Sequence, residues 1–156
     1  MVILTHVVPL VFAINPQIPA RTLPEFVAWL KANPDKAKVA TSGRGSAQEM
    51  AAEMFRLATG ANMLLVPYKG SSAAQPDLLA GRTALFIDTI SAIQAQVKAG
   101  TVRAIAVSTA QRTPALPNVP TAKEQGLKGY DANTNGGFLA PAGTPKAIVA
   151  RLNAEI

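Results

Sequence analysis

The sequence predicts an α/β domain built on a mixed, mostly parallel sheet with helices on both faces. Between residues 38 and 108, short apolar segments alternate with glycine- or serine-bearing turns and helical patterns, the layout of successive βαβ units. Residues 7–14 (VVPLVFAI) and 102–108 (VRAIAVS) are nearly continuous apolar runs, as strands buried on both faces require. The chain has 156 residues, 49% hydrophobic and 15% charged, enough for one good core and outside the range of disordered chains.

Taken in order, residues 7–14 predict a strand that stops at Asn15-Pro16, followed by a loop through Pro19. Thr22, with Glu25 three residues on, predicts a capped helix whose apolar face is Leu23, Phe26, Val27 and Leu30 and which ends at Asn33-Pro34. Trp29 reads as core or edge packing. A short strand at residues 38–41 then leads through a glycine turn into a helix from Ala47 to Thr59. Ser46 and Glu49 have capping-box spacing there, and Gly60 is the stop. Its expected core stripe is Met50, Met54, Phe55, Leu57 and Ala58.

A second unit follows: a strand at 62–68, a turn, and a helix capped by Ser72 with Gln75, ending at Gly81. Pro76 and Asp77 are expected in its first turn, where proline is tolerated and an acid meets the helix dipole. A third strand at 83–87 carries Asp88-Thr89 at its end, and the next helix closes at Gly100. Beyond the strand at 102–108, residues 111–120 are proline-rich and irregular. Residues 121–126 read as a short helix, with Thr121 and Glu124 in capping-box positions. Residues 133–137 (NTNGG) read as a flexible link before a strand at 138–140. Thr144-Pro145 opens a last helix with Ile148, Val149 and Leu152 on one face.

The net charge is +6, from 15 basic and 9 acidic residues, but the cations are spaced singly and aromatics are only 5%. No nucleic-acid surface is predicted; the charge favours small anionic ligands. There are no cysteines and one histidine, His6, so disulfides, thiolate chemistry, a histidine triad and a multi-histidine metal site are not expected. Residues 7–14 are too short to span a membrane and lack the flanks of a signal peptide. That strand begins abruptly and the last helix has no natural stop, so a chain truncated at both ends is expected.

Ligands bind open α/β sheets beyond the carboxyl ends of the strands. On that rim the sequence places Ser42, Gly43, Arg44, Gly45 and Ser46; then Gly70, Ser71 and Ser72; then Asp88 and Thr89. Glycine turns that open into helix starts suit an anion, because free N–H groups and the helix dipole point the same way. A binding rim is the leading reading. The alternative is a small α/β hydrolytic enzyme acting on a carboxylate ester, with Asp77 and Asp88 as the only nearby acids. A nucleotide-binding domain is not supported, since the turn is neither GxGxxG nor GxxxxGK[ST].

One ordered set of motifs is more specific. It comprises Ser42-Gly43-Arg44-Gly45-Ser46, Val66-Pro67-Tyr68-Lys69-Gly70-Ser71 and Phe86-Ile87-Asp88-Thr89. It continues with Lys98-Ala99-Gly100, Arg103-Ala104-Ile105-Ala106-Val107, Leu116-Pro117-Asn118-Val119-Pro120-Thr121 and Ala140-Pro141-Ala142-Gly143-Thr144-Pro145. In these, over essentially its whole length, the chain resembles the periplasmic solute receptors of tripartite tricarboxylate transporters, the Bug family. The resemblance implies a type II periplasmic-binding-protein fold whose two lobes close on a ligand about a hinge. Residues 15–133 would be the second lobe, with 1–14 and 134–156 belonging to the first lobe and hinge.

Such receptors bind small carboxylates, including di- and tricarboxylates, amino acids and aromatic acids. They pass these to membrane permease subunits and do no chemistry, with no cofactor. Family members are about twice this length and carry an export signal and a first-lobe proline- and glycine-rich loop, neither of which is in this sequence. By the resemblance, Ser42, Gly43, Gly45 and Ser46 would hold a ligand carboxylate, and Gly70, Ser71 and Ser72 would adjoin it. Asp88 and Thr89 would face the ligand's other end, and Arg44 would either pair with a second carboxylate or stand as a solvated surface arginine. Many members have tryptophan where this chain has Asn135 or Gly136. A half-built lobe with exposed strand edges would also pair with a second copy.

Overall fold

The computed structural model describes residues 2–156, so the stretch expected to begin at residue 1 is followed from Val2. The strands are β1 (Ile3–Ile14), β2 (Lys38–Thr41), β3 (Leu64–Pro67), β4 (Leu85–Thr89), β5 (Arg103–Val107) and β6 (Asn133–Phe138). The helices are α1 (Leu23–Ala32), α2 (Ala47–Thr59), α3 (Ser71–Leu79), α4 (Ile90–Lys98) and α5 (Lys146–Glu155). Among the described residues no helix is long and apolar enough to cross a membrane.

The sheet order is β3-β2-β4-β1-β5, with β6 on β1. Strands β2, β3 and β4 pair in parallel, and β5 runs the same way. The mixed character comes from β1, which lies between β4 and β5 and runs against both. It starts at Ile3, earlier than the apolar run suggested, because its first half has a partner of its own: residues 3–9 pair with β6. Residues 10–14 pair with β4 and β5 in the main sheet.

Two cores follow from the two-residue period of that strand. Leu10, Phe12 and Ile14 face α1 and α2, together with Phe26, Phe55 and Tyr130. Val11 and Ala13 face α3 and α4, with Phe86, Leu78 and Ile93. Phe12 meets Phe55 edge-on at 5.2 Å and Tyr130 at 5.4 Å, which fixes α2 against the sheet. Trp29 stacks on Phe26 at the edge of this core, as expected.

Several expectations are corrected. The buried face of α2 is Ala51, Ala52 and Phe55, whereas Met50 and Leu57 are 63% and 73% exposed and Met54 is also exposed. Small alanines let the helix backbone approach the sheet, and the larger apolar residues turn outward. Helix α3 starts two residues early, with Gly70 (φ 98°) as its N-cap, so Ser72 is inside the helix. Pro76 and Asp77 then lie past the first turn.

Residues 121–126 form hydrogen-bonded turns rather than a helix, although the Thr121–Glu124 capping pair does form, at 2.8 and 3.0 Å. Residues 133–137 are strand, not link. Their glycines fit because a Cβ at Gly136 would strike the His6 ring and one at Gly137 would sit 2.5 Å from the Ile3 carbonyl oxygen. The face of α5 carrying Ile148 and Leu152 is exposed.

Candidate binding rim

Because β2, β3 and β4 are parallel, the turns that leave them emerge on one edge of the sheet, and each opens a helix. In the first, Gly43 (φ 136°) and Gly45 (φ 74°) use backbone geometry that side chains disfavour. The Ser46 hydroxyl caps α2 by accepting from the Glu49 N–H at 3.1 Å and donates to the Gly43 carbonyl at 2.7 Å. Glu49 returns its carboxylate to the Gly45 N–H at 2.6 Å rather than to Ser46. The capping box is therefore opened by one residue, and one donor of the turn is already filled.

The second turn is held against the first. The Tyr68 N–H donates to the Thr41 carbonyl and the Gly70 N–H to the Ser42 carbonyl, both at 3.0 Å. A Cβ on Gly43 would lie 3.3 Å from the Tyr68 carbonyl oxygen, so glycine also permits this close approach. Neither α3 nor α4 has a side-chain cap. The N–H groups of their first turns are thus left for an acceptor outside the helix.

Asp88 sits where the three turns meet. Its Oδ1 accepts from the Ser71 hydroxyl at 2.8 Å, the Thr89 N–H at 2.8 Å and the Gln48 amide at 3.2 Å. The side chain is fully buried, and among the described residues Oδ2 has no hydrogen-bond partner. Burial pushes its carboxyl above the usual carboxylate range, and the Ser71, Thr89 and Gln48 hydrogen bonds oppose that shift. Asp88 was expected to face a ligand's far end; its carboxylate lies beneath the rim, buried under the three turns.

Asp77 is no first-turn acid. It accepts from the Tyr68 hydroxyl at 2.6 Å and from Arg82 at 2.7 Å. Those two bonds hold its carboxyl below the usual range, while burial and the bond to Asp77 raise the Tyr68 hydroxyl to about 12. This pair braces β3 against α3 behind the rim.

Ser42, Gly43, Ser46, Gly70, Ser71 and Thr89 are half-buried, and Arg44, Gly45 and Ser72 are exposed. These nine share one edge with Asp88 under them. Among the described residues Arg44 forms no salt bridge, so its guanidinium is available to solvent or to an anion. Sequence reasoning missed Gln48 as a rim residue, since nothing in its spacing marks it. Glu49 was legible only as a cap.

A family profile described as "Tripartite tricarboxylate transporter family receptor" matches residues 1–156. A Pseudomonas protein described as "UPF0065 protein in tcbD-tcbE intergenic region" is 36% identical over 156 residues, covering 99% of this chain and 46% of that one. The chain spans about half the length of the curated relatives it matches. Among solved structures, R. palustris Rpa4515 with adipate is 35% identical with a TM-score of 0.84, over 98% of this chain and 51% of that one. MatC from Rhodopseudomonas palustris with bound malate is 31% identical with a TM-score of 0.87, over 97% and 51%. The periplasmic binding protein BugD is 36% identical with a TM-score of 0.85, over 96% and 50%. The chain is thus similar to binding proteins rather than enzymes, which removes the ester-hydrolase alternative.

Proposed function

The chain belongs to the tripartite tricarboxylate transporter receptor family, and we propose that it is the ligand-binding lobe of a periplasmic receptor for a small dicarboxylate. The observation that carries this reading is the convergence of the α2, α3 and α4 starts on one edge, two of them uncapped. Each helix start adds about half a positive charge, and hydrogen bonds to a charged acceptor contribute about 1.5–3 kcal/mol apiece. Ser42, Gly43, Gly45 and Ser46 hold one carboxylate from the first turn, Gly70, Ser71 and Ser72 from the second, and Thr89 closes the site. Arg44 takes the second carboxylate. Neighbours captured with adipate and malate support this ligand class. The receptor performs no chemistry and delivers its ligand to membrane permease subunits.

The lobe runs from residue 10 to 132, and residues 2–9 with 133–156 belong to the other lobe and hinge. In support, the first half of β1 pairs with β6 before its second half enters the main sheet between β4 and β5. This two-stranded ribbon exposes Leu4, Val7 and Phe138. Two strands alone are marginal and present open edges, so the isolated chain associates with a second copy through the ribbon. Sedimentation showing only monomer contradicts that association.

The binding reading is tested by melting the chain with adipate, malate and their dimethyl esters. A ligand that binds only the folded chain raises its melting temperature. The acids should raise it and the esters should not; equal shifts with acids and esters overturn the carboxylate reading.

A further inference from the structure

We propose that Asp88 is a positioning residue, whose buried carboxylate locks the three rim turns into the spacing that a ligand meets. The inference rests on the binding rim described above and assigns Asp88 a role distinct from ligand contact.

An acid next to the first residue of a helix ordinarily serves that helix alone. Asp88 accepts from the N–H of Thr89, the N-cap residue of α4, and leaves that helix's first turn open, while its other two donors belong to different helices. Ser71 is the first residue of α3, and Gln48 is in the first turn of α2. The Gly70 N–H to Ser42 carbonyl bond joins the first two turns directly. With Asp88 the ties form a closed triangle: first turn to second through Ser42, second to third through Ser71, third to first through Gln48.

The location also explains why a carboxylate is tolerated without exposure. Three helix starts surround it, and their dipoles favour negative charge at that point. An internal acceptor at this depth engages the Ser71 hydroxyl, so that hydroxyl does not fold back over its own helix start. The first-turn N–H groups of α3 and α4 then remain open at the surface. Without the tie, Ser71 and Gln48 each lose an acceptor and the turns move independently.

Asp88→Ala and Asp88→Asn separate positioning from bulk packing, because asparagine keeps one acceptor oxygen at the same place. Amide hydrogen exchange of the full chain is the first readout. Exchange at Gly70 and Thr89 should accelerate in Asp88→Ala and return towards wild type in Asp88→Asn, while Phe12 and Ile105 stay protected. Malate titration is the second: Asp88→Ala should weaken binding about 10-fold, the equivalent of one lost hydrogen bond to a charged group, with Asp88→Asn recovering most of it.

Unchanged rim exchange in Asp88→Ala, or equal damage from both variants, overturns the proposal. If Asp88→Ala does not fold, Ser71→Ala decides: it must accelerate exchange at Thr89, and unchanged exchange there overturns the tie. A wild-type chain that binds neither malate nor adipate removes the receptor reading, and the exchange measurements still decide the role of Asp88.

Discussion

Glu49 bonds the Gly45 N–H at 2.6 Å, so one donor of the glycine turn is occupied by the protein's own carboxylate. Removing it has two opposite effects. Glu49→Ala frees a donor and removes a negative charge beside an anion site, but loses half a capping box, at a stability loss of about 0.5–1 kcal/mol. Malate binding should tighten while the melting temperature falls; weaker binding shows instead that Glu49 is needed to shape the turn. Asp88 gives a pH signature. Its folded-state value is raised, so the native chain holds that proton more tightly than the unfolded chain does. The burial penalty is complete at neutral pH and lifts as the pH falls towards the raised value. Asp77 and Glu124 have lowered values, so their stabilisation is present above the ordinary carboxylate range and is lost only as pH falls through those lower values. Mild acidification from neutral should therefore stabilise the wild type relative to Asp88→Asn; parallel pH profiles of melting temperature contradict this. Residue types alone gave Asp88 as a rim residue. Its depth was not legible, because burial depends on Gln48 and Ser71 arriving from two other helices.

At the scale of elements, what was legible had local causes. The Thr22 and Ser46 caps and the Gly60 stop place α1 and α2 where the spacing predicts, because capping bonds close within a few residues. What was missed depends on partners distant in sequence. Helix α2 carries apolar residues on two sides, and only contact with Phe12 selects the alanine side over Met50, Met54 and Leu57. Residues 133–137 have the composition of a linker and become a strand because residues 3–9 lie alongside. That pairing makes a discriminating prediction. Gly137→Ala places a methyl group against the Ile3 backbone and should destabilise the ribbon by about 1–3 kcal/mol. Gly136→Ala meets only the end of the exposed His6 side chain, which swings away, so its effect should be smaller. Amide exchange along β1 and β6 reads both. Equal protection in the two variants contradicts the assigned register.

At the scale of the whole molecule, the parallel strands fix a common rim and the antiparallel β1 carries the chain from the β6 ribbon into the main sheet. The chain spans about half the length of the relatives it matches. The family was legible because its motifs lie at the turns and strand ends, where local geometry restricts the residues. Other hollows exist, such as the apolar groove between α1 and Leu127, but they lack convergent helix starts. The central claim is that a carboxylate is held by the three turns themselves. The most direct measurement is a malate titration of the isotopically labelled chain, following each backbone amide by NMR. The account predicts saturable shifts concentrated at Gly43, Ser71, Ser72 and the first residues of α4, with the groove around Leu23 and Leu127 unmoved. Shifts centred on that groove, or none at the rim at saturating malate, contradict it.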